Sequence, residues 1–318
     1  MEPVLVLGGT GFVGRHLCEK LVRAGYPVTV ATRAGTQTSP LRCLPRLNLV
    51  QADIHDAPVL GDLVAGHRLV VNLVAILHGD QARFDAVHVT LPGQLARACH
   101  ASAVRRLVHV SALGADPAGP SMYQRSKGRG EQLLREALAG SATDLCIVRP
   151  SVIFGAQDRL LNLFARLQAW LPVLPLAGAG CRFQPVWVED VAEAIVRCLS
   201  APTPPAPVIE AAGPDVMTLR ELVTLAATAS GKPAAHILPL PDTLARWQAR
   251  VMELAPGEPL MSRDNLASMA VDNIASGQFP GLAALGITPA SVAAVAPGYL
   301  GQRGPRSGLD GLRRGAGR

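Results

Sequence analysis

The 318-residue sequence predicts an α/β fold, a doubly wound parallel sheet with a smaller, mainly helical C-terminal lobe, on three observations. Short β-branched runs alternate with helical patterns through the first 150 residues. The first run leads straight into a glycine turn and a helix. After Pro150 the alternation gives way to prolines and amphipathic helices. Continuously apolar strands belong to a sheet covered on both faces, and right-handed crossovers through the intervening helices make it parallel.

Strands are expected at 4–8 (VLVLG), 28–32 (VTVAT), 47–51 (LNLVQ), 69–75 (LVVNLVA), 107–112 (LVHVSA) and 145–151 (LCIVRPS). Helices are expected between them at 13–24, 57–65, 86–102 and 124–139. A further run, VIEAAG at 208–213, follows the Pro-rich TPPAP and is expected to rejoin the sheet. The lobe carries helical patterns at about 160–170, 190–199, 219–229 and 241–254, one opened by a T-x-x-E capping box of Thr218 and Glu221. The expected division is a sheet domain over 1–150, completed by about 183–213, a smaller lobe over 151–182 and 214–300, and a disordered Gly/Arg tail over 301–318.

The segment VLVLGGTGFVGRHLCEKL places Gly8, Gly11 and Gly14 between a strand and a helix. That context makes the triplet a dinucleotide-binding turn of the Rossmann type. Its glycines admit a tight turn, a close approach of backbone N–H groups to pyrophosphate, and close packing of helix on strand. Thr10, Phe12 and Val13 complete the turn. At the end of the second strand, where a carboxylate would bind a ribose 2′-hydroxyl, the chain has Thr32 and Arg33. A guanidinium there suits a 2′-phosphate, so NADP(H) is expected over NAD(H). Arg15 is a second candidate for that charge, or a solvated helix residue. Asp53 is placed either to accept from the adenine amino group or to serve as a turn aspartate, with Ile54 beside it. Leu73, Val74 and Ala75 would lie along the cofactor by topology.

Composition bounds the partners. The net charge of +6 is concentrated at the end, where residues 301–318 hold five arginines against Asp310, so the body carries about +2. The tail suits weak contact with an anionic membrane better than specific nucleic-acid binding. The six cysteines lie in apolar runs without a C-x-x-C pair, which fits reduced core thiols and a cytoplasmic chain. No signal peptide is expected ahead of the first strand, and the apolar stretch 160–180 is broken by Arg166, Pro172 and Pro175. The histidines show no metal-ligand spacing, and a G-x-S-x-G elbow is absent.

Taken with Y-x-x-x-K at Tyr123 and Lys127, these features resemble the extended short-chain dehydrogenase/reductase superfamily over roughly the first 215 residues. The runs VSALGADPAGPSMYQRSKGRGE (110–131), RPSVIFG (149–155) and FQPVWVEDVA (183–192) are similar to its atypical branch, which includes an NADPH-binding accessory subunit of respiratory complex I. The resemblance implies Tyr123 as acid/base, Lys127 as its ribose-binding and pKa-tuning partner, and Ser111 as the polarising hydroxyl. It also implies cofactor contacts from Pro150 and Val152. Residues i and i+4 share a helix face, so Tyr123 and Lys127 can reach one cofactor edge. The usual polarising Ser/Thr falls at Ala112 or Leu113, and His88 stands where many members have a relay asparagine. Gly128 and Gly130 follow Lys127 in the helix, which predicts a soft element. Asp158 reads as a loop residue and Asp190 as a helix cap. The resemblance thus implies a cofactor held for structure or sensing, with a respiratory complex as the candidate partner, and with an NADPH-dependent reductase or nucleotide-sugar epimerase and an NADPH-sensing regulator as alternatives.

Overall fold

The structure, a computed structural model, describes residues 1–33, 40–203, 205–231, 234–254, 257 and 259–301. Its strands are β1 (Val4–Leu7), β2 (Val28–Thr32), β3 (Leu47–Gln51), β4 (Leu69–Asn72), β5 (Arg106–Val110), β6 (Asp144–Pro150) and β7 (Ile153–Phe154). They continue as β8 (Val173–Leu176), β9 (Arg182–Phe183), β10 (Val186–Trp187), β11 (Val208–Ala211), β12 (Met217–Thr218) and β13 (His236–Pro239). The helices are α1 (Phe12–Arg23), α2 (Ala57–Ala65), α3 (Gln81–Asp85), α4 (Leu91–Ala101), α5 (Met122–Leu138) and α6 (Leu160–Leu167). After them come α7 (Val188–Ser200), α8 (Leu219–Ala229), α9 (Asp242–Glu253), α10 (Arg263–Ser268) and α11 (Val292–Leu300).

Seven strands form one parallel sheet in the order β3-β2-β1-β4-β5-β6-β11. The order reverses at β1, so the crevice between the carboxyl ends of β1 and β4 is where such a sheet binds its ligand. Alternate strand residues feed two apolar layers. Val4, Val6, Val108 and Val110 pack with α1 and α7, while Leu5, Leu7, Val70 and Leu107 pack with α2, α4 and α5. A third core, with Phe154, Phe164, Leu222 and Val292, holds the C-terminal lobe together. Arg106 is wholly buried in β5, and its guanidinium donates to the carbonyls of Cys198, Leu199 and Ala201 and pairs with Asp144. It therefore answers the negative end of α7 and ties that helix to the sheet.

Three expected elements differ in a way that shapes the site. The strand expected over 69–75 ends at Asn72, whose side-chain oxygen accepts from Val74 N at 3.1 Å and turns the chain away. The helix expected over 86–102 is a π-helical turn at Ala86–Thr90 followed by α4, and the helical path already begins with α3 ahead of it. Pro92 has no N–H to offer the His88 carbonyl four residues back, which leaves that oxygen outside the regular ladder. The fifth strand stops at Val110, although Ser111 N and Leu113 N still donate to Val148 O and Pro150 O. Among the described cysteines five are buried, whereas Cys43 is exposed and not a core thiol. The Gly/Arg tail from 302 lies outside the described residues.

Candidate functional site

The glycine turn is built for a group larger than itself. Gly8 sits at φ +81°, and Gly11 N donates back to Gly8 O at 3.0 Å. A Cβ on Gly14 would lie 2.4 Å from Gly8 O, so the helix meets the strand only as glycine. Gly9, absent from the triplet, is equally constrained, because its Cβ would sit 2.8 Å from both Val30 methyls. Gly11 is the N-cap of α1. No side chain caps that helix, and its first turn carries no acidic residue. The N–H groups of Phe12, Val13 and Gly14 therefore have no side-chain cap and suit an anion at the positive end of a twelve-residue helix. This cradle fits a dinucleotide pyrophosphate.

Thr32 is buried at the end of β2, and Arg33 emerges beside it into solvent. Arg15 is committed elsewhere, since Nε donates to Thr10 O at 3.0 Å and a terminal nitrogen to Gln157 Oε1 at 3.1 Å. Asp53 is exposed and its carboxylate accepts from His55 N at 3.0 Å in a turn role. The cap of α2 is Asp56. Ile54 is buried, Leu73 and Val74 are half-buried, and Ala75 is exposed along the loop after β4.

Pro150 and Val152 flank Ser151, and this loop is gripped from far along the chain. Asn273 Oδ1 accepts from Ser151 Oγ at 2.7 Å and from Val152 N at 3.2 Å, while its amide nitrogen donates to Leu113 O at 3.3 Å. Asn273 thus clamps the loops after β5 and β6. Nothing in its neighbourhood of the sequence signals this.

Tyr123 and Lys127 lie one turn apart on α5. Lys127 is 2% exposed, donates from Nζ to Val110 O at 3.2 Å, and is drawn down to about 8 by burial, against the raising influence of Glu131. Tyr123 stands edge-on to His88 and Phe84, with ring centroids 5.5 and 6.4 Å away, and burial pushes its phenol up to about 12. The side chain of Ser111 is 4% exposed, and its hydroxyl is buried without a hydrogen-bond partner among the described residues. By strand alternation it points with Leu107 and His109 toward the α5 layer. His109 Nδ1 meets the Asn72 amide at 3.1 Å in the same layer.

His88 is a strut. Its Nε2 accepts from Ile76 N at 3.1 Å, which leaves Nδ1 to donate to Ser126 Oγ at 2.9 Å. Burial and the Lys127 charge push its pKa down to about 2, so it stays neutral. The expected softness of α5 is corrected. A Cβ on Gly128 would lie 2.4 Å from Pro117 N, and one on Gly130 1.9 Å from His88 O. The two glycines let the helix seat against a loop and against the carbonyl that Pro92 leaves free. Ser121 and Gln124 add a capping box, and Glu131 is buried against Arg149, whose guanidinium stacks on Phe279.

Asp158 is a loop residue, as expected, and accepts from Gly155 N, Leu161 N and the Tyr299 hydroxyl, which fixes the start of α6. Asp190 sits in the first turn of α7 and accepts from Ala290 N at 2.8 Å, while the N-cap position is Trp187. Asp264, from the C-terminal lobe, accepts from Met122 N at 2.6 Å and Tyr123 N at 3.1 Å and so fastens that lobe to the tyrosine helix. A cleft of about 1030 Å³ opens beside it, lined by residues 75–81, Met122, Arg159, Arg263 and Asp264 among others.

The Lys127 environment has a measurable consequence. A lysine lowered from 10.5 to about 8 binds fewer protons folded than unfolded between those values, so its burial penalty is full below pH 8 and fades by about 10.5. Lys127→Met should therefore stabilise the nucleotide-free protein at pH 7 by roughly 1–3 kcal/mol, with the gain vanishing near pH 10.5. Urea titrations at several pH values check this; a gain independent of pH would contradict a buried ammonium.

The comparisons with known proteins agree with this geometry. Residues 4–209 match the model of the NAD dependent epimerase/dehydratase family. The chain is 30% identical over 292 residues to the mitochondrial NADH dehydrogenase [ubiquinone] 1 alpha subcomplex subunit 9 of Rattus norvegicus, covering 89% of this chain and 76% of that one. It is 27% identical to the mitochondrial NADH-ubiquinone oxidoreductase 40 kDa subunit of Neurospora crassa, over 93% of this chain and 78% of that one. A solved structure of the dTDP-glucose 4,6-dehydratase DesIV from Streptomyces venezuelae, with NAD and TYD bound, superposes with a TM-score of 0.65 at 25% identity, over 74% of this chain and 84% of that one. With its glycine turn, seven-stranded sheet and Tyr/Lys helix, the chain belongs to the NAD dependent epimerase/dehydratase family, as an atypical extended short-chain dehydrogenase/reductase similar to complex I accessory subunits.

Proposed function

We propose that this protein holds NADP(H) as a structural or sensory cofactor, without turnover, and serves as an accessory subunit of a respiratory complex at the cytoplasmic periphery of the membrane. The observation that carries the reading is the similarity, over 89% of this chain, to a mitochondrial NADH dehydrogenase [ubiquinone] 1 alpha subcomplex subunit 9. His88 is held between Ile76 N and the Ser126 hydroxyl as a neutral strut, so it supplies no proton relay.

In this reading residues 1–150, completed by about 183–213, form the nucleotide domain, and 151–182 with 214–300 form the partner lobe. Gly8 to Gly14 hold the pyrophosphate, Arg33 the 2′-phosphate, and Asp53 and Ile54 the adenine. Leu73 to Ala75, Pro150, Val152, Tyr123 and Lys127 line the nicotinamide half. When bound, the nicotinamide supplies hydride chemistry. The similarity to mitochondrial complex I subunits supports the partner assignment. The cleft beside Met122 supports a second reading, an NADPH-dependent reductase or epimerase using Tyr123, because it is large enough for a small substrate.

Tyr123→Phe separates the two. It removes only the transferable proton, so NADPH affinity and stability should stay within about 0.5 kcal/mol of wild type. Neither protein should reduce a broad carbonyl panel. Wild-type turnover that disappears in the variant would establish the enzyme instead.

A further inference from the structure

Helix α9 is amphipathic in the wrong sense for a helix of the core. Its buried residues are Ala245 and Ala249, while Leu244, Trp247, Val251 and Leu254 stand in solvent, Trp247 at 67% and Leu254 at 82% exposure. At about 100° per residue these four fall within an arc of about 80°, centred opposite the two alanines. Arg246 and Arg250 flank one side of that arc. The same lobe exposes Trp170 at 87%, together with Leu171 and Val173 just before and within β8, and Leu238 on the paired strand β13. Large apolar side chains turned outward over small ones turned inward mark a face whose partner is missing, not a packing fault.

We infer that the α9 face lies in the interface of an anionic lipid bilayer. A bilayer surface supplies both halves of what the helix presents: acyl chains for Leu244, Trp247, Val251 and Leu254, and lipid phosphates for Arg246 and Arg250. The charge continues beyond α11, which packs on α6 and α8 of this lobe. The sequence after Gly301 adds five arginines against one aspartate, a net +4 that an anionic surface attracts. Among the described residues no helix is long and apolar enough to cross a membrane, so the contact is peripheral. This inference is independent of the nucleotide reading, since the stripe is remote in sequence and role from the glycine turn.

The test is co-sedimentation of the full chain with vesicles of phosphatidylglycerol and phosphatidylcholine in equal parts, and with vesicles of phosphatidylcholine alone, with tryptophan emission recorded in parallel. The wild type should bind the anionic vesicles more tightly, with a blue shift. Trp247→Ala combined with Leu254→Ala should lower the partition coefficient at least about tenfold with an unchanged melting temperature, because both side chains are exposed in the folded chain. Deleting residues 302–318 should weaken binding and flatten its salt dependence without abolishing it. Absence of binding at low salt, or wild-type binding by the double variant, would overturn the inference. So would a dimer in light scattering that the double variant converts to monomer, because the face would then belong to a second copy of the chain.

Discussion

Replacing Gly11 by aspartate is expected to abolish nucleotide binding while leaving the nucleotide-free protein as stable as wild type or slightly more so. Gly11 occupies the N-cap of α1 with extended backbone, φ −73° and ψ −178°, which any residue adopts. An Asp there can accept from Val13 N or Gly14 N, the ordinary capping interaction that the native helix lacks, for a gain of a few tenths to about 1 kcal/mol. The contact of a new Cβ with Gly8 O, at 3.2 Å, offsets part of this. Those same N–H groups are the ones a pyrophosphate would use, and the new carboxylate repels it. The predicted loss in NADPH affinity is about hundredfold or more, roughly 3 kcal/mol, the scale of a lost charge-assisted contact. Thermal melts without nucleotide and a parallel NADPH titration read the two effects separately. Wild-type affinity in a folded variant would move the dinucleotide away from the turn.

Gly130→Ala is expected to destabilise the protein by about 3 kcal/mol or more, against the usual sign for a helix interior. Helix propensity alone predicts a gain of about 1 kcal/mol. The added Cβ would sit 1.9 Å from His88 O, a contact that only separation of α5 from the π-helical turn can relieve. That separation would also disturb the His88–Ser126 bond and the edge-on contact of Tyr123 with His88, so the loss should reach the site as well as the fold. Urea unfolding decides the sign. A gain in stability would mean that the helix is held less closely than the structure has it.

The α/β class, the sheet strands and the glycine turn were legible because their signals are local. A continuous apolar run, a glycine at a strand end and a capping pattern such as Thr218 with Glu221 each act within a few residues. What escaped depends on approach across long separations. Gly128 and Gly130 read as weak points of a helix, and only the positions of Pro117 and the His88 carbonyl show why no other residue fits. Asn273 and Asp264 reach the site from more than 100 residues away and leave no mark in their own neighbourhood. Gly9 was within reach, since a fourth glycine in GGTGFVG asks for a reason, and Val30 on the adjoining strand supplies it. The strand end at Asn72 and the π-helical turn before Pro92 follow from side-chain and proline chemistry that periodicity does not register.

The central claim, a dinucleotide site that prefers a 2′-phosphate, is tested most directly by titrating NADPH and NADH against wild type and Arg33→Ala. Arg33 is exposed at the end of β2, where its loss should not disturb the fold. The account predicts that wild type binds NADPH more tightly, and that the substitution costs NADPH about 1.5 to 3 kcal/mol while leaving NADH nearly unchanged. Equal losses for the two nucleotides, or tighter binding of NADH by wild type, would contradict it.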